Sequence, residues 1–571
     1  LSSRYEGWGR TIVEAMAAGI PIVTTDVGCV GSFFRPQVDG RVAQVDDVAG
    51  LVLAIREQIS ERDRRDAMCR SAREAVHTFP TQEKLHAQQV SGWRSALTRV
   101  TEVGTRFELW VGIFIVLAVL SRLASAFLFH GSLANREWGF YTLIDHWFQG
   151  YGYSYARELG CASAYRSPGY LFFLTGLYLL FPSTNTLAQA LVQNAFVVGV
   201  LILVYAVGRR LVGKRAALIG GFLMMVYPYT FYHYTQYYHT FLSSFFLLLL
   251  VWFVLRAGET KRYRDAFGAG LSIAGLAYIQ GTILPATPFL VLWLLWKLWP
   301  SWKRVFWMAV IMAVTSAALI APWTYRNWTQ LHAFVPLTTD LGHAFFKANN
   351  EDIYQLTLRG YPQEIVNEVT VSSTNPMYKS YRMPADLEAE LKADGVFQES
   401  IAWTEWHPRE PNGDVATCAD LGPLDEVEFN HYWMERGMAW FTTHWWPEGF
   451  KLQLLKLKTF WQPSLFPSVK TGAPWPFAND SVKVWLATNV MMFGSAVVLI
   501  GGWIGLLVAM RRKKREAFLI LIILCVYSLL HTFFAGYTKY RMPLDNLLAP
   551  FAGWTIVAIW DKLRGKRGPR V

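Results

Sequence analysis

Residues 107–129, FELWVGIFIVLAVLSRLASAFLF, form an apolar run that contains only two charged side chains, Glu108 and Arg122. A helix needs about 20 such residues to cross a hydrocarbon core of roughly 30 Å, so this run is long enough to span a membrane. Similar runs recur along the chain between short basic clusters. We predict about 10 to 11 membrane helices, with crossings at residues 107–129, 186–207, 216–232, 239–256, 266–282, 283–298, 304–323, 483–510, 516–536 and 541–560.

The composition of the 571-residue chain agrees with this prediction, with 53% hydrophobic, 15% aromatic and only 17% charged residues. A disordered chain is less apolar, collagen needs periodic glycine, and a disulfide-dense secreted module needs more than five cysteines. The net charge of +12 comes mostly from clusters beside apolar runs, which indicates membrane topology rather than nucleic-acid binding. The predicted fold class is therefore mainly α, a polytopic helical membrane protein.

Basic clusters predict the orientation of the helices, because Lys and Arg are enriched on the cytoplasmic side of membrane proteins. Ten crossings place every cluster in the cytoplasm, together with both termini and the basic tail at 561–571. The apolar run 168–182 would then not cross, and should be re-entrant or lie along the outer face. The clusters are at residues 209–215, 256–264, 297–304, 511–515 and 562–570.

Two polar stretches, residues 130–167 and 327–482, then lie outside, and we expect the chemistry there. The second stretch is rich in Trp and acidic residues and could form a small outer cap, with helical pieces near 384–392 and 426–441. The membrane helices of 483–560 follow it.

The cysteines are distributed between these regions. Cys161 and Cys418 lie one in each outer stretch, where a disulfide between them and two unpaired thiols are both compatible with the sequence. Cys29, Cys69 and Cys525 lie in reducing or lipid surroundings and lack metal-ligand spacing. We therefore predict no zinc site.

Residues 1–97 have the pattern of a partial α/β segment. A helix begins at Gly9, residues 20–23 read as a short buried strand, and Asp46 and Asp47 are expected to cap a following helix. The segment begins with Leu in mid-pattern and lacks a signal peptide, so we expect the chain to be truncated at its start.

Glu6 and Glu14 bracket a glycine-rich turn, with Gly7 and Gly9, at the start of this helix. Free backbone N–H groups there can hold a diphosphate while carboxylates bind sugar hydroxyls, although two solvated surface glutamates would also fit the spacing. The string SRYEGWGRTIVEAMAAGIPIVTTDVG resembles the donor-binding half of retaining GT-B glycosyltransferases, the family that includes sucrose and lipopolysaccharide sugar transferases.

This resemblance covers residues 1–97 and implies that Glu6 faces the donor sugar and Glu14 holds the nucleotide ribose. The acceptor domain and the basic residues that precede the motif in that family are not in this sequence. The segment is therefore either part of a longer fusion or vestigial, and we do not expect it to transfer sugar alone.

Acidic residues follow the first membrane helix in the stretch NREWGFYTLIDHWFQGYGYS. A carboxylate just outside a membrane helix can act as a general base, because it can be held near a lipid-borne donor. Glu137 is the first candidate, and Asp145, two turns later, is the second. Solvated loop acids are the alternative for both.

Three arginines fall at predicted outer helix ends, against the cytoplasmic bias of the others: Arg166, Arg326 and Arg541. A phosphate held at the membrane surface needs fixed cations, which makes these residues candidate donor-phosphate ligands. Interfacial snorkelling is the alternative for each.

Motifs in order across residues 107–560 resemble the GT-C fold, specifically the bacterial relatives of protein O-mannosyltransferases and the lipid A aminoarabinose transferases. The resemblance implies an inverting transferase that takes sugar from a polyprenyl-phosphate donor at the outer face of a bacterial inner membrane. The motifs are Gly150, Gly152 and Tyr153; Arg166, Pro168 and Tyr170; Tyr227 and Pro228; residues 321–327, ending in Arg326 and Asn327, with 335–350; 455–461; and 539–543, with Tyr540 and Arg541.

This resemblance also implies substrate contacts by Tyr170, His239, Asn327 and Tyr540. Two departures stand out, since His239 replaces a family glutamate and Gln280 replaces an arginine. The register of the first loop is offset at Arg136 and Glu137, which leaves the identity of the base open.

We therefore predict a membrane glycosyltransferase that moves sugar from a polyprenyl-phosphate donor to a glycan, lipid or protein of the cell envelope. The alternative is a non-catalytic membrane anchor or transporter-like partner of a nucleotide-sugar GT-B enzyme. A divalent metal is compatible with such chemistry, but the sequence offers no secure ligand set, and no nucleic acid is expected as a partner.

Overall fold

The computed structural model divides the chain into two compact units, Leu1–Leu109 and Trp110–Val571. The predicted class is confirmed, since the chain is mainly helical with a small N-terminal α/β segment. The described residues are 2–4, 9–77, 82–130, 140–181, 185–234, 239–358, 393, 417, 425–461, 463, 481–534 and 538–565.

The first unit is built on two short parallel strands, in which Val23 pairs with Arg41 and Thr25 with Ala43. A compact apolar cluster, made of Ile12, Met16, Ile22, Cys29, Phe34 and Ala72, stabilises it. The elements are α1 Arg10–Ala18, β1 Val23–Thr25, β2 Arg41–Ala43, α2 Val48–Ser60 and α3 Arg62–His77.

Local sequence explains most of these boundaries. Gly9 (φ 77°) precedes α1 and Gly19 (φ 68°) ends it, both in the left-handed region that glycine tolerates. The Asp47 carboxylate accepts the amide of Gly50 at 2.8 Å and caps α2 as predicted. Asp46 instead pairs with Arg4 at 2.6 Å, so its predicted capping role is wrong.

The predicted strand over 20–23 is also misplaced, because β1 begins at Val23. Pro21 has no amide hydrogen to donate to a ladder, and Ile20 is 55% exposed rather than buried.

The second unit is mainly helical in its described part. Its elements are α4 Gln82–Phe129, which begins in the preceding segment, α5 Phe140–Phe148, α6 Pro168–Leu180, α7 Thr186–Leu211, α8 Lys214–Met225, α9 Pro228–His233, α10 Thr240–Thr260, α11 Tyr263–Ile279, α12 Thr287–Leu298, α13 Trp302–Leu331, α14 Leu341–Phe346, α15 Glu351–Leu358, α16 Glu426–Thr443, α17 Phe450–Trp461, α18 Ser481–Arg511, α19 Arg515–Phe533 and α20 Thr538–Leu563.

Seven helical stretches of the described chain are long and apolar enough to cross a membrane. They are Phe107–Leu128, Thr186–Leu211, Thr240–Thr260, Trp302–Leu331, Met492–Arg511, Arg515–Phe533 and Tyr540–Leu563. The predicted crossings at 216–232, 266–282 and 283–298 form shorter helical segments, α8 and α9, α11, and α12 after a 3₁₀ turn over Gly281–Ala286. Helix α6, within the run 168–182, has 13 residues and is also shorter than a span.

The break between α8 and α9 has a clear cause, because Pro228 has no amide hydrogen with which to continue α8. The end of α8 is bound by Arg122, whose Nη2 donates to the carbonyl oxygen of Met225 at 2.9 Å. The Arg122 guanidinium also lies 4.0 Å from the centre of the Phe231 ring. This explains why the first predicted span contains a buried arginine.

Small residues allow α20 to pack closely against α8 and α18. A Cβ atom on Gly553 would lie 2.2 Å from the carbonyl oxygen of Ala216, and one on Gly505 would lie 2.3 Å from that of Phe551. Close backbone approach of this kind is typical of helix packing in membranes.

Helices α14, α15 and α16 lie outside the candidate spans and are named the cap. Helix α16 confirms the predicted helix at 426–441. The predicted helical piece at 384–392 lies outside the described residues. Asn349 joins the cap to the membrane helices, because its Nδ2 donates to the Phe533 carbonyl oxygen at 2.7 Å, at the end of α19. We call this end of the membrane helices the cap end. The opposite end carries the pairs Arg210–Glu259 and Lys297–Glu516.

Candidate functional site

The two candidate bases belong to the segment around α5. Glu137 lies outside the described residues, three positions before Phe140 in the sequence. Asp145 lies on the exposed side of α5, and its side chain makes no hydrogen bond or ion pair with another described residue. Its role as a base stays a prediction.

The predicted Gly-x-Gly-aromatic turn follows α5. Gly150 (φ 92°) and Gly152 (φ 76°) are left-handed, as a sharp turn requires. The Tyr153 hydroxyl then hydrogen-bonds with the Thr175 hydroxyl on α6 at 3.0 Å, and Cys161 is disulfide-bonded. Cys418, the partner that the sequence offers, lies outside the described residues.

Arg326 and Asn327, at the cap end of α13, contact neighbouring backbone. Arg326 Nη1 donates to the Ser163 carbonyl oxygen at 2.9 Å and Nη2 to that of Tyr153 at 3.4 Å. Asn327 is fully buried and its Nδ2 donates to the Val335 carbonyl oxygen at 2.9 Å. These contacts hold the loop after the glycine turn, and the predicted substrate roles of both residues stay predictions.

Glu426, at the start of α16, joins three separate segments. Its carboxylate accepts hydrogen bonds from the Ser163 hydroxyl, from the Ala164 amide at 2.8 Å and from the Thr339 hydroxyl. Burial raises the pKa of Glu426 above its usual range, although these hydrogen bonds and the nearby Arg326 charge act in the opposite direction.

This raised pKa predicts that cap stability depends on pH. The folded state binds the Glu426 proton more tightly than the unfolded state, so stability should increase as the pH falls through the folded pKa and level off near 4.5, the usual value. Asp340, whose pKa is also raised, adds a contribution of the same sign. Hydrogen exchange of α16 between pH 5 and 8 measures the effect.

Glu426→Gln should weaken this pH dependence, with Glu435→Gln, on the exposed side of α16, as the control. An identical pH profile in Glu426→Gln and the unmodified protein would show that Glu426 does not titrate as expected.

Arg166 lies beside an aromatic pair and a buried carboxyl. The guanidinium carbon of Arg166 is 5.1 Å from the centre of the Tyr165 ring and 5.6 Å from that of Phe140. Asp340 is close enough to interact with the Arg166 charge, and the Thr338 hydroxyl donates to its carboxylate at 2.7 Å. Burial raises the pKa of Asp340, although both groups act against the increase.

A chain of ring contacts leads from Phe140 through Tyr170 to His239, toward the membrane helices. The Tyr170 ring centre lies 5.1 Å from that of Phe140 and 6.3 Å from that of His239. His239 Nδ1 lies 3.4 Å from the Ser243 hydroxyl, which in turn lies 3.4 Å from Gln280 Oε1.

Gln280 connects His239 and Ser243 to residues of α19 and α20. Its Nε2 lies 2.8 Å from His531 Nε2, and the Tyr527 hydroxyl donates to its Oε1 at 3.0 Å. The His531 ring lies 5.1 Å from that of Tyr540. The run of contacts from Arg166 through Phe140, Tyr170, His239, Ser243, Gln280 and His531 to Tyr540 is named the polar path.

Arg541 follows Tyr540 and forms a buried ion pair. Its Nε lies 3.1 Å from Asp545 Oδ1, and the two side chains are 1% and 0% exposed. Nη1 donates to the Phe460 carbonyl oxygen at 2.7 Å, and the Tyr227 hydroxyl donates to Asp545 at 2.8 Å. Arg541 is therefore fixed in place beside the polar path.

Lys456 on α17 is a further buried cation that sequence reasoning missed. Its ammonium group donates to the carbonyl oxygen of Ala348, to Asn349 Oδ1 at 3.2 Å and to the Thr532 carbonyl oxygen at 3.1 Å. It lies in the motif at 455–461, LKLKTFW, but nothing in that motif distinguishes it from its exposed neighbour Lys458.

The structure thus brings together five of the predicted site residues: Arg166, Tyr170, His239, Tyr540 and Arg541. Arg326 and Asn327 lie on a neighbouring set of contacts through the Ser163 loop. Asp340, Glu426 and His531 were not predicted as site residues. Glu426 and His531 contact partners that are remote in sequence, and Asp340 lies in the motif at 335–350, where nothing local distinguishes it.

In the first unit, Gly9 precedes α1 as predicted, and Glu14 is exposed and pairs with Arg10 at 3.2 Å. Glu6 and Gly7 lie outside the described residues. Among the residues with described positions, no group of three or more His, Cys, Asp or Glu could hold a metal ion.

Two segments match known protein families. Residues 1–75 match the family described as glycosyl transferases group 1, and residues 165–325 match the dolichyl-phosphate-mannose-protein mannosyltransferase family. Both resemblances predicted from the sequence are confirmed over these residues. Glycogen synthase of Mycobacterium tuberculosis is 34% identical over 76 residues, which are 13% of this chain and 18% of the relative's length.

Solved structures with a similar helical arrangement include the oligosaccharyltransferase AglB of Archaeoglobus fulgidus, in complex with an inhibitory peptide and a dolichol-phosphate. That similarity has a TM-score of 0.44 and 16% identity, and covers 81% of this chain and 52% of AglB. ArnT of Cupriavidus metallidurans, bound to undecaprenyl phosphate, has a TM-score of 0.34 and 15% identity, over 77% of each chain.

Proposed function

We propose that this chain is a membrane glycosyltransferase that transfers a sugar from a polyprenyl-phosphate donor to a glycan, lipid or protein acceptor. The observation that carries the proposal is the polar path, which joins residues from the family-matched segment 165–325 to Tyr540 at one end of apolar helices. Arginine, tyrosine and histidine at a membrane edge suit a ligand with a lipid tail, a phosphate and a sugar.

In the proposed step, an acceptor hydroxyl oxygen attacks C1 of the sugar while a carboxylate, Glu137 or Asp145, takes the hydroxyl proton. The bond between C1 and the phosphate oxygen breaks, and its electron pair leaves with the polyprenyl phosphate. Arg166 and Arg541, with Arg326 nearby, stabilise the negative charge on this leaving group. Attack opposite the leaving group inverts the configuration at C1.

The cap end would face outward and the basic clusters the cytoplasm, as the distribution of Lys and Arg favours. The Arg210–Glu259 and Lys297–Glu516 pairs lie at the opposite end from the polar path, which supports this orientation. Both termini would then be cytoplasmic, in a bacterial inner membrane.

In the N-terminal segment, Glu6, Gly7, Gly9 and Glu14 would bind a nucleotide sugar through the start of α1 and the two carboxylates. Titration of the full chain with a nucleotide sugar tests this, with Glu14→Gln expected to weaken binding. Equal affinity of the unmodified chain and Glu14→Gln would contradict the assignment of Glu14.

The test of the proposed function is transfer from radiolabelled polyprenyl-phosphate sugars to candidate acceptors by the purified full-length protein. Arg166→Ala should lower kcat/KM about 100-fold, because a charge-assisted contact to phosphate contributes roughly 2–3 kcal/mol. Arg209→Ala is the matched control and should retain activity. Arg209 is an exposed arginine near the C-terminal end of α7, in the basic cluster 209–215.

Equal transfer by Arg166→Ala and the unmodified protein would remove Arg166 from the site. The alternative of a membrane anchor would be supported by either of two results. One is no transfer from any such donor, and the other is a transfer rate that stays unchanged when Glu137, Asp145 and Arg166 are replaced.

A further inference from the structure

Helix α17 packs beside the cap end of α19, and its C-terminal part lies alongside the membrane helices. Lys456 contacts the carbonyl oxygen of Thr532 at 3.1 Å, and the indole of Trp461 donates to the Ser528 hydroxyl at 3.1 Å. The two helices are therefore antiparallel here. Ser528 lies five residues inside the end of the span Arg515–Phe533, which is about 7.5 Å at 1.5 Å per residue.

A second contact joins the end of α17 to another apolar span. The Trp461 ring centre is 5.1 Å from that of Trp503, which lies within the candidate span Met492–Arg511. The C-terminal half of α17 therefore lies beside two apolar spans rather than in the cap.

The two faces of α17 have different surroundings. Leu452, Gln453, Lys456 and Phe460 are buried against the protein. On the other face, Phe450, Leu454 and Leu457 are 39%, 51% and 36% exposed, at helical spacing i, i+4 and i+7. These three residues are named the outer stripe.

Charged and aromatic side chains border the outer stripe. Lys451 and Lys458 are both exposed and lie seven residues apart, so they project from the same side of α17 next to the stripe. Trp445 and Trp446, just before α17, are 45% and 70% exposed. Apolar positions bordered by Lys and Trp are typical of a helix at the membrane interface, where lysine stems lie on hydrocarbon and the ammonium groups reach lipid phosphates.

We propose that α17 is an interfacial helix whose outer stripe contacts the hydrocarbon chains of the cap-end leaflet, while Lys451 and Lys458 bind lipid phosphate groups. The span that α17 packs against also exposes an apolar side chain near its cap end, since Leu529 is 60% exposed. The lysines supply the charge that complements an anionic headgroup.

The opposite face of α17 contacts the residues beside the polar path. The Phe460 carbonyl oxygen accepts a hydrogen bond from Arg541 at 2.7 Å, and the Phe460 ring lies 5.8 Å from that of His531. A single helix therefore separates the lipid from this cluster. This placement is independent of the proposed transfer reaction.

The test measures collisions of nitroxide labels with molecular oxygen and with a water-soluble nickel chelate. Full-length protein is placed in vesicles of phosphatidylcholine and phosphatidylglycerol, in a background where Cys29, Cys69 and Cys525 are replaced by alanine. Labels are attached in Leu454→Cys and Leu457→Cys. Leu529→Cys serves as the lipid reference and Glu435→Cys, on exposed α16, as the water reference.

Labels at 454 and 457 should favour oxygen over the nickel chelate, as at 529, and unlike the label at 435. Values equal to those at 435 would overturn the proposal. A second comparison adds Lys451→Glu and Lys458→Glu, which should lower the oxygen preference at 454 by repelling anionic lipid. No change would refute the lysine–phosphate contact. Size-exclusion chromatography confirms that each variant is folded and monodisperse.

Discussion

Glu137→Gln is expected to lower the rate of sugar transfer by about 10²- to 10⁴-fold, the usual contribution of a positioned general base. The amide has nearly the same shape as the carboxylate but cannot take the acceptor proton. Glu137 precedes Phe140 by three residues in the sequence, and the Phe140 ring contacts both Arg166 and Tyr170. A base attached to this segment would act where the polar path begins.

Asp145→Asn tests the second candidate under the same conditions. Asp145 is on the exposed side of α5, whereas Phe140, at the start of the helix, is buried in the polar path. We therefore expect a smaller loss, below about tenfold, from Asp145→Asn. Single-turnover transfer rates with radiolabelled donor measure both effects, and Glu435→Gln, an exposed acid on the cap, is the control.

The two variants give distinct outcomes. A large loss confined to Asp145→Asn would move the base to α5, and unchanged rates in both variants would end the general-base assignment. Partial recovery in Glu137→Asp would support proton transfer, because a shorter carboxylate keeps the chemistry while changing the distance.

Helix length and hydropathy are local properties, which is why the membrane architecture could be predicted from the sequence. The run 107–129 contains all the information needed to identify a span. The run 216–232 is also apolar, yet it divides at Pro228, because the count of apolar residues takes no account of a missing amide hydrogen. The short strand at Val23 was misplaced for the same reason, since Pro21 was counted as apolar.

The site was predictable only where a residue belongs to a motif. Arg166, Tyr170 and Tyr540 were found in this way, and the structure places them on one path. Glu426 contacts Ser163 across 263 residues of sequence, and such pairing depends on the tertiary fold. Lys456 is bound by neutral carbonyl and amide oxygens, so no acidic partner marks it in the sequence.

Arg541→Met is expected to destabilise the protein by about 3–5 kcal/mol, because it leaves a buried carboxylate without its partner. Asp545 is 0% exposed and would keep only the Tyr227 hydroxyl as a donor among the contacts described above. Unfolding of the purified protein in mixed micelles, followed by denaturant titration, measures the loss. Arg210→Met removes one member of the partly exposed Arg210–Glu259 pair, whose side chains are 20% and 42% exposed, and should cost less than about 1 kcal/mol.

The double variant Arg541→Met/Asp545→Leu separates stability from function. It removes both buried charges, so much of the stability should return, as replacement of a whole buried ion pair often allows. Transfer should stay low if Arg541 binds the departing phosphate, since the cation is still missing. Recovery of both stability and transfer would assign Arg541 a purely structural role, leaving Arg166 as the principal arginine of the polar path.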